Sequence, residues 1–361
     1  MHVVFDSSAI WLGRPLTGTN AKYLAAYLKH ADVELHVPEV VVLETQTLIR
    51  ERVSAEHKKL AKSVEEFRKQ GVRLAFRRDP ESLTQAALKV FDRRLDSLQI
   101  DRLAIPETGG HDEVLQRLQS GKRPFRGTPD QRDVGYRDYL VWKTILGLAG
   151  SGDGDVAFVT GNIRDFGEES PEGSRLHSEL VAESRDIGLE VKLYTSVEQF
   201  IADVVKPSLP VAARVEALLS LRPQQKRLRE WISDHIGEEG SGYVIESMMA
   251  WKGIDIETVT IASGYDVEDL SIEGARELDP STVVVDVLAR MELLVDFYVF
   301  KADAALLDYE DFRGLSDWNK HYYWGQTEMD ASVDLSVTLS VVQDKVEPQS
   351  LSISSVTIET S

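Results

Sequence analysis

The hydrophobic period of this chain changes once, and that change limits what it can fold into. Up to about residue 205, short apolar runs of strand length alternate with stretches of helical spacing. Beyond Gly242 the period becomes two: Val333, Leu335, Val337, Leu339 and Val341 alternate with Asp334, Ser336, Thr338 and Ser340. The spacing predicts strands over residues 2–5, 33–37, 72–76, 156–160 and 190–194. It predicts helices over 21–31, 39–70, 80–105, 112–119, 138–149, 176–187 and 197–205. Strands that alternate with helices form a mostly parallel sheet covered on both faces, because a parallel crossover needs a dozen or more residues. The expected fold is therefore α/β: an N-terminal α/β/α sandwich with a central parallel sheet over residues 1–204. A linker and helix over 205–242, marked by Pro207 and Pro210, would lead to an acidic, mainly antiparallel β (α+β) domain over 243–361. In that domain one sheet face packs and the other is wet.

Two strands finish in polar residues. His2-Val3-Val4-Phe5 delivers Asp6, Ser7 and Ser8, and Ala157-Phe158-Val159 delivers Thr160, Gly161, Asn162 and Asp165. Functional groups in parallel sheets collect where strands end. Glu44 and Asp138, each near the start of an expected helix, join them if the strand order allows. Each acid also has a plain structural explanation: Asp6 as a strand terminus, Glu44 as a solvated helix acid, Asp138 as a complement to a helix dipole. For Asn162 and Asp165 an ordinary loop weighs evenly with a ligand role.

Four segments, Asp6-Ser7-Ser8-Ala9-Ile10, Val37 to Glu44, Tyr136 to Trp142 and Val159 to Phe166, together resemble the PIN domain family. The likeness extends over about residues 1–204. It implies a metal-dependent nuclease with Asp6, Glu44 and Asp138 as catalytic and metal-binding acids. Many members carry Asp where this chain has Asn162, so either Asn162 or Asp165 completes the set, with Asp165 the metal ligand. The resemblance places Ser8 and Thr160 near the site, where they orient a carboxylate or contact phosphate. Lys122, Arg123 and Arg126, from a loop rich in Gly and Pro, would steer a phosphate backbone together with Arg137, a reading that weighs evenly with a plain solvated loop. The cofactor expected is Mg²⁺ or Mn²⁺, since hard ions take oxygen ligands. The substrate the resemblance implies is RNA, most simply single-stranded, with single-stranded DNA left open. The alternative is a PIN-like module that binds RNA or protein without cutting.

Charge limits this reading without excluding it. The net charge is -19, yet residues 1–205 hold 28 Lys or Arg against 32 Asp or Glu, while residues 206–361 hold 13 against 28. The acidity thus sits mostly in the second part, which is expected to bind a protein partner, mediate assembly with a second copy or restrain the nuclease as a regulatory domain. The aromatic run His321-Tyr322-Tyr323-Trp324 reads as packing rather than base stacking. There is no Cys, which removes disulfides and thiolate metal sites. With no basic leader and no run long enough to span a bilayer, a cytoplasmic protein away from membranes is expected. A dehalogenase-like phosphotransferase needs a second Asp where Ser8 stands, and a P-loop is missing.

Overall fold

The computed structural model describes residues 1–10, 16–72, 79–107, 111–125, 135–149, 154–171, 173–239, 243–245, 250–251, 254–304, 314–342 and 345–358. Contacts divide the chain into two compact units, Met1–Leu209 and Pro210–Ser361.

The first unit starts with β1 (His2–Phe5), α1 (Ser7–Ile10), α2 (Gly18–His30), β2 (Glu34–Pro38) and α3 (Glu39–Lys69). Val3, Val4 and Phe5 are fully buried, so β1 is a central strand that accepts no polar substitution. Pro38, extended at ψ 138°, stands just before the first turn of α3, where its missing N–H leaves nothing unsatisfied. The chain continues through α4 (Pro80–Ser97), β3 (Ile100–Leu103), α5 (His111–Ser120), α6 (Tyr136–Leu146) and β4 (Asp155–Val159). Asp79 starts α4 by accepting a 2.9 Å hydrogen bond from the Ser82 amide, with Pro80 in the first turn. Then come α7 (Ile163–Phe166), a hairpin of β5 (Gly167–Ser170) and β6 (Gly173–Leu176), α8 (Ser178–Arg185), β7 (Glu190–Tyr194) and α9 (Val197–Phe200). A π turn over Ile201–Val205 carries α9 on into α10 (Lys206–Ser208).

The sheet is parallel with strand order β3-β2-β1-β4-β7. The chain moves outward in one direction from β1 through β2 to β3, and in the other from β4 to β7. Strand order therefore reverses between β1 and β4, and the crevice beyond their carboxyl ends is where such sheets place ligands. Asp6 follows β1 and Thr160 follows β4, so both stand at that point.

One expectation is corrected here. Residues 80–105 are not one helix: α4 ends at Ser97 and Ile100–Leu103 forms the edge strand β3. An edge strand pairs on one side only, and this one buries little beyond Ile100, so its four residues carry a weak strand signal. The strand expected over 72–76 lies mostly outside the described residues, and Val72 is coil.

The second unit opens with α11 (Val211–Leu219) and α12 (Arg222–Glu239). It continues as an antiparallel sheet of β8 (Ala250–Trp251), β9 (Ile254–Asp279), β10 (Thr282–Phe300), β11 (Leu315–Asp317), β12 (Tyr322–Val342) and β13 (Lys345–Ile358). Where the sequence suggested a separate linker and helix over 205–242, the two helices instead complete this unit. Val215, Leu219, Leu228, Ile232 and Ile236 share a core with Val283, Val285, Leu293, Leu335 and Leu339 of one sheet face. The docking is close. A Cβ on Gly264 of β9 would stand 2.3 Å from Cγ2 of Ile236. A bulge, at which Asp334 faces Ser355 and Leu335 faces Ile353, shifts the alternation of β13. The apolar phase of Leu351 and Ile353 accordingly passes to Val356. Tyr322 packs edge-on against Phe300, its cross-strand partner.

Candidate active site

Asp6 is 4% exposed and fixed on both sides of its backbone turn. Its amide donates to the Val159 carbonyl at 3.0 Å, which locks the end of β1 to the end of β4. Thr160 Oγ1 donates to Asp6 Oδ2 at 2.7 Å, and Ser8 Oγ donates to the same oxygen at 3.1 Å. The two hydroxyls are themselves held, because the Gly161 amide donates to Ser8 Oγ at 2.7 Å and the Asn162 amide to Thr160 Oγ1 at 3.0 Å. With their lone pairs occupied by amides, both hydroxyl protons face Asp6 Oδ2. Among the described residues the other oxygen, Oδ1, has a long 3.5 Å contact from Ser7 Oγ, which leaves it lone-pair capacity for a further ligand.

Asp138 is brought in by α6. Gly135 precedes that helix in the left-handed region, at φ 115°, and a Cβ there would stand 3.0 Å from the Pro124 carbonyl. A glycine at the entry lets α6 begin where its first turn buries Asp138, which is 5% exposed. Asp138 Oδ1 accepts from Asn162 Nδ2 at 3.2 Å and lies 3.9 Å from Arg137 Nη2. Burial is the main force that pushes the Asp138 pKa up, to about 6. Arg137 opposes that rise, while the charges of Asp165, Asp6 and Glu44 add to it. Asp165, Asp6 and Glu44 therefore each lie close enough to Asp138 to act on its charge.

Glu44, from the second turn of α3, forms an ion pair through Oε1 with Arg137. Its Oε2 is buried and has no hydrogen-bond partner among the described residues. Asp165 is 4% exposed in α7, whose first residues follow Asn162. The structure thus brings Asp6, Ser8, Glu44, Arg137, Asp138, Thr160, Asn162 and Asp165 to one end of the sheet. The donor set, carboxylate oxygens with one of them buried and unsatisfied, suits a hard divalent cation. Among the described residues no three of these acids close to within 4.8 Å of one another.

The expected basic residues divide. Arg123 donates through Nη1 to the Arg164 carbonyl, one residue from Asp165, and so stands at the rim. Lys122 lies 3.9 Å from Glu183 Oε2 on α8 and is directed there instead. Arg126 falls outside the described residues. A pair that sequence reasoning missed supports this rim. Arg117, 6% exposed, donates to both oxygens of Glu183 at 2.7 Å, and Trp142 Nε1 donates to Glu183 Oε2 at 3.0 Å. Burial works against the Glu183 charge, yet Arg117 outweighs it and leaves the carboxyl below its usual range. With the partners 66 positions apart, the sequence carries no local signal for the pair. On the Ser8 side, a cleft of about 700 Å³ is lined by Thr17, Thr19, Asn20, Gly161, Thr195 and Ser196.

Residues 3–166 match a protein-family model described as a PIN domain. No curated protein and no solved structure matches the chain. Among the described residues no helix is long and apolar enough to cross a membrane.

Proposed function

We propose, on the premise that residues 3–166 are a PIN domain and so a nuclease-type fold, that the protein is a divalent-metal-dependent endonuclease of single-stranded RNA. The observation that carries this is Asp138, a buried carboxyl pushed up to about 6 in the company of Asp6, Glu44 and Asp165. A fold keeps such a repulsive group where function compensates for it, and a cation would do so. Asp6, Glu44, Asp138 and Asp165 would hold Mg²⁺ or Mn²⁺, which when bound supplies positive charge at the scissile phosphate and acidifies the attacking water.

The chain's own residues set up that chemistry. Ser8 and Thr160 fix the rotamer of Asp6 by engaging Oδ2, which leaves Oδ1 for the ion. Asn162 orients Asp138 through its amide nitrogen, so it acts as a positioning residue and Asp165 serves as the fourth acid. Arg137, half exposed, balances Glu44 and Asp138 and is placed to turn toward a phosphate. Arg123 at the rim provides a second phosphate contact. The hydroxyl-lined cleft beside Ser8 takes the adjoining nucleotide. The acidic antiparallel unit would serve a protein partner or self-association, since its net negative charge disfavours binding a nucleic acid.

Cleavage of a labelled single-stranded RNA in Mn²⁺ tests this. Cutting should stop in chelator and in Asp6→Asn and Asp138→Asn, each with an unchanged circular dichroism spectrum. RNA retained without cutting by the unaltered protein would instead support the non-cleaving module, for which the neutral Asn162 is the motivating residue. Equal cutting in chelator would exclude the metal mechanism.

A further inference from the structure

Toward the amino ends of β1 and β2 in the same sheet lies a second group of metal-ligating side chains. His2 opens β1, and Glu34 opens β2 as its register partner. His36 follows two residues later on the same face of β2, paired with Val4. His2 Nδ1 lies 3.0 Å from His36 Nε2 and 3.1 Å from Glu34 Oε2, and His36 Nε2 lies 3.3 Å from the same Glu34 oxygen. Among the described residues this is the one set of three His, Asp or Glu ligand atoms that close to within 4.8 Å of one another.

We propose that His2, Glu34 and His36 form a binding site for a borderline divalent metal ion of the zinc class, separate from the carboxylate site. Two imidazole nitrogens and one carboxylate oxygen are a common zinc donor set, with a fourth position left to solvent. Bonds of about 2.0–2.1 Å in a tetrahedron separate neighbouring ligand atoms by about 3.3 Å, and the three observed spacings of 3.0, 3.1 and 3.3 Å are close to that edge. The rings are tilted 41° to each other with centroids 5.2 Å apart, so they meet through their nitrogens and not by stacking. His36 Nδ1 has no hydrogen-bond partner among the described residues, which leaves Nε2 as the engaged atom of that ring. Both imidazoles are buried and thus held in place, at 5% and 4% exposure, while the exposed Glu34 leaves an entry path. His2 and Asp6 are four residue steps apart along the chain, about 13 Å at the rise of a β-strand. Imidazole ligation selects zinc, cobalt or nickel over magnesium, so the two sites differ in the ions they take. A metal here would tie β1 to β2 and stabilise the first unit by mass action.

Cobalt(II) titration of the stripped full-length protein, in excess Mg²⁺ to fill the carboxylate site, tests this proposal. The expected result is a d–d absorption of tetrahedral intensity that saturates at one equivalent and is displaced by Zn²⁺. Glu34→Gln, at an exposed position that spares the fold, should weaken binding by more than about tenfold, since even indirect partners of a ligand are worth that much. His36→Gln should abolish the band. Absence of a tetrahedral band overturns the proposal, as does an unchanged affinity in Glu34→Gln. Because the readout is independent of RNA cleavage, its failure would leave the nuclease reading intact, and the reverse also holds.

Discussion

Replacing Asp138 by Asn should stabilise the protein in chelator, although it removes an acid from the heart of the site. In the fold this carboxyl has its pKa raised from 3.8 to about 6, first by burial and then, against Arg137, by Asp165, Asp6 and Glu44. A raised carboxyl means that the folded state holds its proton more tightly than the unfolded state does. Below about pH 4 both states are protonated and the group costs nothing. As pH rises toward 6 the unfolded state releases its proton first, and stability falls; above 6 the full penalty applies. At about 1.4 kcal/mol for each tenfold difference in proton affinity, the full penalty is about 3 kcal/mol. Asn has the same shape, cannot ionise, and can still accept from Asn162 Nδ2 through its carbonyl oxygen. Asp138→Asn in chelator should therefore be more stable by up to about 3 kcal/mol at pH 7, with the gain vanishing near pH 4. For a unit of this size that corresponds to about 6–12 °C in melting temperature. Urea or thermal unfolding of both proteins across that pH range gives the difference directly. Adding Mn²⁺ should raise the original protein and leave the variant nearly unmoved. A difference that is flat with pH, or a variant that is less stable in chelator at pH 7, would refute the reasoning.

Other substitutions follow from the same geometry. Thr160→Val keeps the volume but removes the 2.7 Å donor to Asp6, so it should cost about 1.5–3 kcal/mol by urea unfolding and weaken Mn²⁺ binding in calorimetry. Gly135→Ala forces a side chain into the left-handed region and against the Pro124 carbonyl, and about 1–3 kcal/mol of stability should be lost. Arg117→Met leaves Glu183 buried without its main partner, and the expected loss is about 3–5 kcal/mol. In the second unit, Gly264→Ala should destabilise by about 1–3 kcal/mol, because its Cβ meets Ile236; unchanged unfolding would mean that α12 does not dock on β9.

Much of this architecture can be read from residue spacing, for reasons visible in particular elements. Central strands bury both faces, so Val3-Val4-Phe5 and Ala157-Phe158-Val159 stand out as continuous apolar runs, and the polar residues that follow them mark the crevice. Pro38 signals the start of α3, and Glu44 follows one turn later. The edge strand β3 escapes notice because Asp101 and Arg102 are its exposed residues and the helical spacing of Leu95 and Leu98 runs up to it. The hairpin of β5 and β6, Gly-Glu-Glu-Ser against Gly-Ser-Arg-Leu, buries too little to show a period. Side-chain partners at long range are harder still. Glu183 joins Arg117 only once α5 and α8 are in place, and Asn162 reads as a lost acid until its amide is seen to hold Asp138. The helices α11 and α12 look like a connection in the sequence, since their partner is a sheet that comes later in the chain.

The convergence of Asp6, Glu44, Asp138 and Asp165 on one cation is tested most directly by anomalous diffraction from a crystal soaked in Mn²⁺. The account predicts a manganese peak at the carboxyl end of β1 and β4, with oxygens of Asp6 and Asp138 as direct or water-bridged ligands and Glu44 Oε2 turned to it. Manganese found only elsewhere on the protein, with those carboxylates unshifted and Arg137 still closing Glu44, would contradict it.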